Sequence, residues 1–309
     1  MTTKRWILIS VIAVACVSSC VWFVFKESRH VHFAGSALAP IVVPKRLAAT
    51  DFQTVEDARC MEWLEKVERG SAAKSLDTHV MKPLSDDVRT RTLSVEGLEV
   101  TKEQFAELYS IVEDCARILQ IEKTPRVFVS THTEYPTVTE NYSDSVVIIQ
   151  ANILDRFRHP TELRFLIGRE LGHVKAGHTR WNTSVRRAKT LADRFSFLRE
   201  EGTCLPLMPI LQWARQSEMT ADNAGLICAQ NLNEAERVLV RLATGTDDSA
   251  TARISVDAYL RQSDTETLSG FSEFMLLWKE WNKPAPFASN RIRQLRQYQE
   301  SARYRTLWN

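Results

Sequence analysis

The sequence predicts a mainly α-helical chain with one small β-sheet, an α+β architecture, and three observations carry that expectation. Apolar residues recur at helical spacing through most of the chain. Only two short runs, Arg126 to Ser130 and Val146 to Gln150, are strand-like, the second β-branched through Val147, Ile148 and Ile149. With 309 residues, 44% of them hydrophobic, the chain can bury one sizeable core in no more than two domains. A formal charge of +2 with 25% charged residues gives no global electrostatic case for nucleic acid.

After a short tail (residues 1–5), Trp6 to Phe25 is an uncharged apolar run behind Lys4 and Arg5. It is long enough to cross a hydrocarbon core of about 30 Å at about 1.5 Å per residue, which predicts one N-terminal transmembrane helix. A competing reading is a lipoprotein signal, because Val17-Ser18-Ser19-Cys20 matches such a cleavage box; Val21 to Phe25 continues the apolar run past Cys20 and favours the anchor. Lys4, Arg5 and the terminal amine precede the span, and Lys26 and Arg29 follow it. That slight bias keeps the N-terminus in the cytoplasm and sets the main domain, single-pass and membrane-attached, outside it. Residues 26–50, with Gly35, Pro40 and Pro44 and no sustained period, read as a tether, and residues 51–309 as the domain.

Within the domain, Val55 to Val67 returns to helical spacing, and Lys102 to Leu119 forms an amphipathic helix through Phe105, Leu108, Ile111, Val112, Ala116 and Leu119. The two strands follow, separated by a polar loop from Thr131 to Ser145. Pro160 and Thr161 suit the start of a helix that runs to Arg180 with Leu163, Leu166, Ile167, Leu171 and Val174 on one apolar face. The remainder reads as helices at Trp181 to Glu200, Pro206 to Gln230, Asn233 to Ala243, Phe271 to Trp281 and an arginine-rich stretch from about Arg291. Its arginines read as a solvated basic face. Cys60, Cys115, Cys204 and Cys228 are scattered without a C-x-x-C pair, which favours small buried thiols over a disulfide scaffold.

The central helix carries Arg169, Glu170 and His173. A zinc hydrolase written H-E-x-x-H needs two histidines four residues apart, so that both imidazoles leave one helix face towards one metal, with the intervening glutamate as general base. Here the base and second histidine stand in place, and the first ligand position holds an arginine. Further on, Glu218 and Asp222 lie four apart on one face of a helix rich in apolar residues. Carboxylates buried there need a cation or a metal.

Gly168-Arg169-Glu170-Leu171-Gly172-His173-Val174-Lys175-Ala176-Gly177-His178 resembles the G-H-E-L-G-H-x-x-x-x-H segment of the membrane-associated gluzincin metallopeptidases of the HtpX and CAAX prenyl endopeptidase type, peptidase family M48. Arg215, Glu218, Ala221 and Asp222 match that family's R-x-x-E-x-x-A-D, and Val146 to Leu154 resembles the strand and turn before its active helix. The resemblance covers roughly residues 100–245. It implies a zincin-like domain and zinc-assisted attack of water on a peptide bond. Carried over by position, the zinc ligands would fall at Arg169, His173 and Glu218, the general base at Glu170, and Asp222 would be the carboxylate behind them that orients a histidine.

Two positions depart from the family's pattern. Guanidinium has no lone pair and keeps its proton, so Arg169 cannot ligate zinc. The family's His-Pro ahead of an arginine near the C-terminus has its nearest match in Lys283-Pro284, with Arg291 following at a longer spacing.

His178, five residues after His173, turns off the zinc face of a regular helix, and rescue by His178 or by His132 needs a changed helix end or loop. The arginine is explained directly if, in a helix pair that buries Glu170, Glu218 and Asp222, it stands where zinc would otherwise neutralise them, its fork bridging carboxylates. Two functions follow as expectations: a membrane-anchored metalloendopeptidase-like protein of reduced or lost activity, or a pseudopeptidase that holds a peptide or partner in the same cleft.

Overall fold

The computed structural model describes residues 40–69, 91–131, 136–141, 144–179, 181, 208–247, 249, 253–264 and 285–309. All fall in one unit, Ala37–Asn309. The elements in chain order are α1 (Val55–Arg69), β1 (Leu98–Glu99), α2 (Ala106–Ile118), β2 (Arg126–Ser130), β3 (Thr137–Asn141), β4 (Ser145–Gln150), α3 (Ala151–Arg156) and α4 (Pro160–Lys175), followed by α5 (Met208–Ala229), α6 (Leu232–Thr244), α7 (Val256–Asp264), α8 (Ala288–Glu300) and α9 (Ala302–Thr306). Mostly helix with one small mixed sheet is therefore the architecture.

The sheet has the order β1-β2-β4-β3. β2 runs parallel to β4, while β1 and β3 pair antiparallel with β2 and β4 respectively. Alternation sorts the side chains: Phe128, Val146 and Ile148 cluster with Leu93, and Val127, Val129, Val147 and Ile149 are buried on the opposite face. β3 lies inside the stretch expected to be a polar loop. Its Thr137-Val138-Thr139 alternation is a strand signal that the surrounding polar residues obscured, and pairing with the β-branched β4 fixes it.

α4 and α5 form the centre. Every residue from Glu162 to His173 is buried, so α4 is enclosed on all sides and not on the single apolar face expected of it. Two glycines make this possible. A Cβ on Gly168 would stand 2.6 Å from Cys228 Cβ, and one on Gly172 would stand 2.4 Å from Ala224 Cβ, so the helices touch where side chains are missing. Pro160 opens α4, and the Glu162 carboxylate accepts from the His159 N–H at 3.3 Å. α4 ends at Lys175, and Gly177 at φ +75° turns the chain away before His178.

Two further differences concern the C-terminal part. α7 was not legible from apolar spacing. The arginine-rich stretch breaks at Ser301, whose extended backbone starts α9 and whose Oγ accepts from the Tyr304 N–H at 3.2 Å. Its arginines are also not simply solvated. Arg296 pairs with Glu236 (2.5 Å) and Asp257 (2.9 Å), Arg303 donates to the Thr50 and Gln53 carbonyls, and Arg291 is buried.

The described end of the segment read as a tether lies against the body. The Val42 N–H donates to Gln230 Oε1 at 3.1 Å, Gln230 Nε2 donates back to the Val42 carbonyl at 2.6 Å, and Gln120 holds Pro44 and Leu47 in the same way. Among the described residues no helix is long and apolar enough to cross a membrane; Trp6 to Phe25 lies outside them, as do the helices expected at Trp181 to Glu200 (beyond Trp181 itself) and Phe271 to Trp281.

Candidate functional site

The close approach of α4 and α5 brings Arg169 over the face of α5 that carries Glu218 and Asp222. Arg169 Nη2 donates to Glu218 Oε2 at 2.5 Å and its Nε to Asp222 Oδ1 at 2.7 Å. Arg291, from α8, completes the network: Nε and Nη2 donate to the two Asp222 oxygens at 2.7 and 2.6 Å, and Nη2 lies 3.8 Å from Glu218. The fully buried Asp222 thus lies between two guanidinium groups, one of them at the position where the resemblance implies a histidine.

The charges shift one another. Burial pushes the Glu218 carboxyl up, but Arg169, His173 and Arg291 outweigh it and hold it well below the usual carboxylate range. Burial likewise pulls Arg169 down, and Asp222, Glu218 and Glu170 more than restore it.

Glu170 stands apart from this network. Its carboxylate accepts the Thr137 hydroxyl at 2.7 Å and the Thr139 hydroxyl at 2.6 Å, both from β3. The Arg169 fork thus bridges two of the three carboxylates, Glu218 and Asp222, and Glu170 acts on it through charge alone. Glu170 turns towards the sheet because Thr137 and Thr139 stand on the same β3 face and offer two donors that need no charge.

His173 Nε2 lies 3.6 Å from Glu218 Oε1, too long for a hydrogen bond, and the two form an ion pair when the imidazole is protonated. Burial lowers the His173 imidazole, and the nearby Glu218 and Glu170 outweigh it, leaving its pKa raised. On its other side, His173 Nδ1 meets His178 Nδ1 at 2.9 Å, and His178 Nε2 meets Asp57 Oδ2 at 2.8 Å. His178 sits edge-on to the Trp213 ring, 5.8 Å between centroids, and burial holds its pKa below the usual histidine value. The helix end at Gly177 does bring it beside His173, but both its nitrogens have partners and neither faces Glu218. His132 and Lys283 lie outside the described residues.

Zinc is the metal that the resemblance implies. Of the three ligand positions only His173 and Glu218 carry donors, and the Arg169 guanidinium, permanently charged, already occupies Glu218. Among the described residues no group of three or more His, Cys, Asp or Glu side chains is placed to hold a metal. These residues do not fit a zinc ion, and no step can be routed through one.

Asp57, Thr137 and Thr139 were not singled out from sequence. Asp57 reads as an ordinary acidic residue in the first turn of a helix, and nothing local ties it to a histidine 121 positions away. Thr137 and Thr139 carried a usable signal, the β-branched alternation of β3. Arg291, noted in sequence for its place after Lys283-Pro284, does reach the site.

The chain is 25% identical over 213 residues to the plastoglobule-localized metallopeptidase 48, chloroplastic, of Arabidopsis thaliana. That match covers 67% of this chain and spans 61% of the relative's length. No solved structure matches. The model of peptidase family M48 matches residues 102–299, the segment that carries β2 to β4, both central helices and Arg291, and the chain belongs to that family.

Proposed function

We propose that this chain is a pseudopeptidase: a member of the M48 family that keeps the peptide-cleft scaffold, binds a peptide or protein partner in it, and does not hydrolyse peptides through zinc. One observation carries this reading, the Arg169 guanidinium bound to Glu218 at 2.5 Å and to Asp222 at 2.7 Å. A cation that cannot give up its proton neutralises the carboxylates that a metal would otherwise neutralise. The two threonine hydroxyls on Glu170 support the same reading, since a general base needs an oxygen available to water. The motif context resembles the HtpX and CAAX prenyl endopeptidase branch of the family. Membrane attachment through Trp6 to Phe25, with the domain outside the cytoplasm, belongs to this proposal, and membrane fractionation with and without that run tests it. The near-neutral composition favours a protein partner over nucleic acid.

The deciding experiment is zinc content and peptide hydrolysis of the full-length wild type and Arg169→His, side by side. The wild type is expected to hold no stoichiometric zinc and to cleave nothing, and Arg169→His to take up one zinc. One tightly held zinc in the wild type, or zinc-dependent cleavage by it, would overturn the reading and return the chain to the peptidases.

A further inference from the structure

We infer that Asp57 and His178 are positioning residues for His173, forming a hydrogen-bond chain that fixes which imidazole nitrogen His173 turns to the cleft. Asp57 accepts from His178 Nε2, His178 Nδ1 accepts from His173 Nδ1, and His173 Nε2 is thereby left facing Glu218.

The direction follows from Asp57. Thr220 Oγ1 accepts the Thr54 N–H at 3.0 Å, so its own proton goes to Asp57 Oδ2 at 2.8 Å, and Gln53 Nε2 donates to the same oxygen at 3.1 Å. An oxygen with two donors already on it is an acceptor, and the proton between it and His178 belongs to Nε2. Only one proton fits between the two Nδ1 atoms at 2.9 Å. Putting it on His178 would enclose a second imidazolium proton in a pocket with no solvent exposure, beside the Trp213 ring. Putting it on His173 leaves His178 neutral. A metal-binding histidine ordinarily gives its other N–H to a carboxylate or carbonyl, which fixes its tautomer. Here the carboxylate acts through an intervening ring, and it comes from α1, outside the matched residues 102–299.

The test uses the full-length chain with isotope-labelled histidine, reading ring-nitrogen protonation by NMR. In the wild type the proton is expected on His178 Nε2 and on His173 Nδ1. Asp57→Asn is expected to preserve this pattern, because Thr220 and Gln53 hold the amide oxygen at the Oδ2 position. Asp57→Ala is expected to release His178 into a mixture of tautomers. A wild-type proton on His178 Nδ1 overturns the inference even if Asp57→Ala does not fold. A second arm rests on the Arg169 reading above: in the Arg169→His background, Asp57→Ala is expected to weaken zinc binding by about 10–100-fold and Asp57→Asn far less. Equal zinc affinity with and without Asp57→Ala also overturns it. If Arg169→His takes up no zinc, the Arg169 reading fails, while the wild-type tautomers still decide this one.

Discussion

Arg169 carries the charge balance of the buried network between α4 and α5. It is almost fully buried and neutralises two carboxylates, so truncating it to Met strands Glu218 and Asp222 with Arg291 alone. Removing one partner of a buried pair costs about 3–5 kcal/mol, and chemical denaturation of Arg169→Met is expected to show a loss of that order. Arg169→His has the same defect without metal and is expected to regain stability on adding zinc, by about 2.7 kcal/mol at 100 times Kd. The pH dependence follows from Glu218, whose folded pKa is depressed. Its contribution is complete above the ordinary glutamate value of about 4.3 and is lost as the pH falls below that value towards the folded one. Melting temperature is expected to fall steeply below about pH 4.3 in the wild type and less steeply in Arg169→Met, whose Glu218 has lost its main counter-charge.

Helix α4 works because it can approach α5 closely, and the approach rests on absent side chains. Gly172→Ala drives a Cβ to 2.4 Å from Ala224 Cβ, so the two helices must separate and Arg169 must move off Glu218. Overpacking of this kind costs about 1–3 kcal/mol. Ala224→Gly is expected to recover much of it in the double mutant, which a double-mutant cycle on unfolding free energies measures directly. The edge strand β3 makes a second contact with α4, through Thr137 and Thr139. Thr139→Val keeps the shape and removes the hydroxyl, leaving a buried carboxylate oxygen without its donor, and is expected to destabilise the chain by about 1–3 kcal/mol. No such loss would show that Glu170 finds another donor.

Across the whole molecule, the site draws on parts distant in sequence: Asp57 from α1, Glu170 from α4, Asp222 from α5 and Arg291 from α8. The family match begins at residue 102, yet α1 packs on α5 through Leu64 and Trp213 and carries Asp57 to His178. A chain starting at residue 100 would leave the Trp213 surface bare and His178 without its acceptor. It is expected to be cleaved rapidly by limited proteolysis under conditions where the full chain resists.

What the sequence determined by itself is the part encoded locally. The helical period placed α1, α2, α5 and α6 within a few residues and the start of α4, whose end it set five residues too late, β-branched runs placed β2 and β4, and the spacing of Glu170, His173, Glu218 and Asp222 pointed to the family. That the Arg169 side chain cannot ligate a metal was equally legible, because guanidinium chemistry does not depend on fold. Only the tertiary structure decided which carboxylates that guanidinium reaches, that Glu170 turns to the β3 threonines, and that His178 looks back to Asp57. Those pairings are contacts between residues tens to more than a hundred positions apart, and they are set by how closely two helices pack and where one helix ends. No local pattern of residues records either.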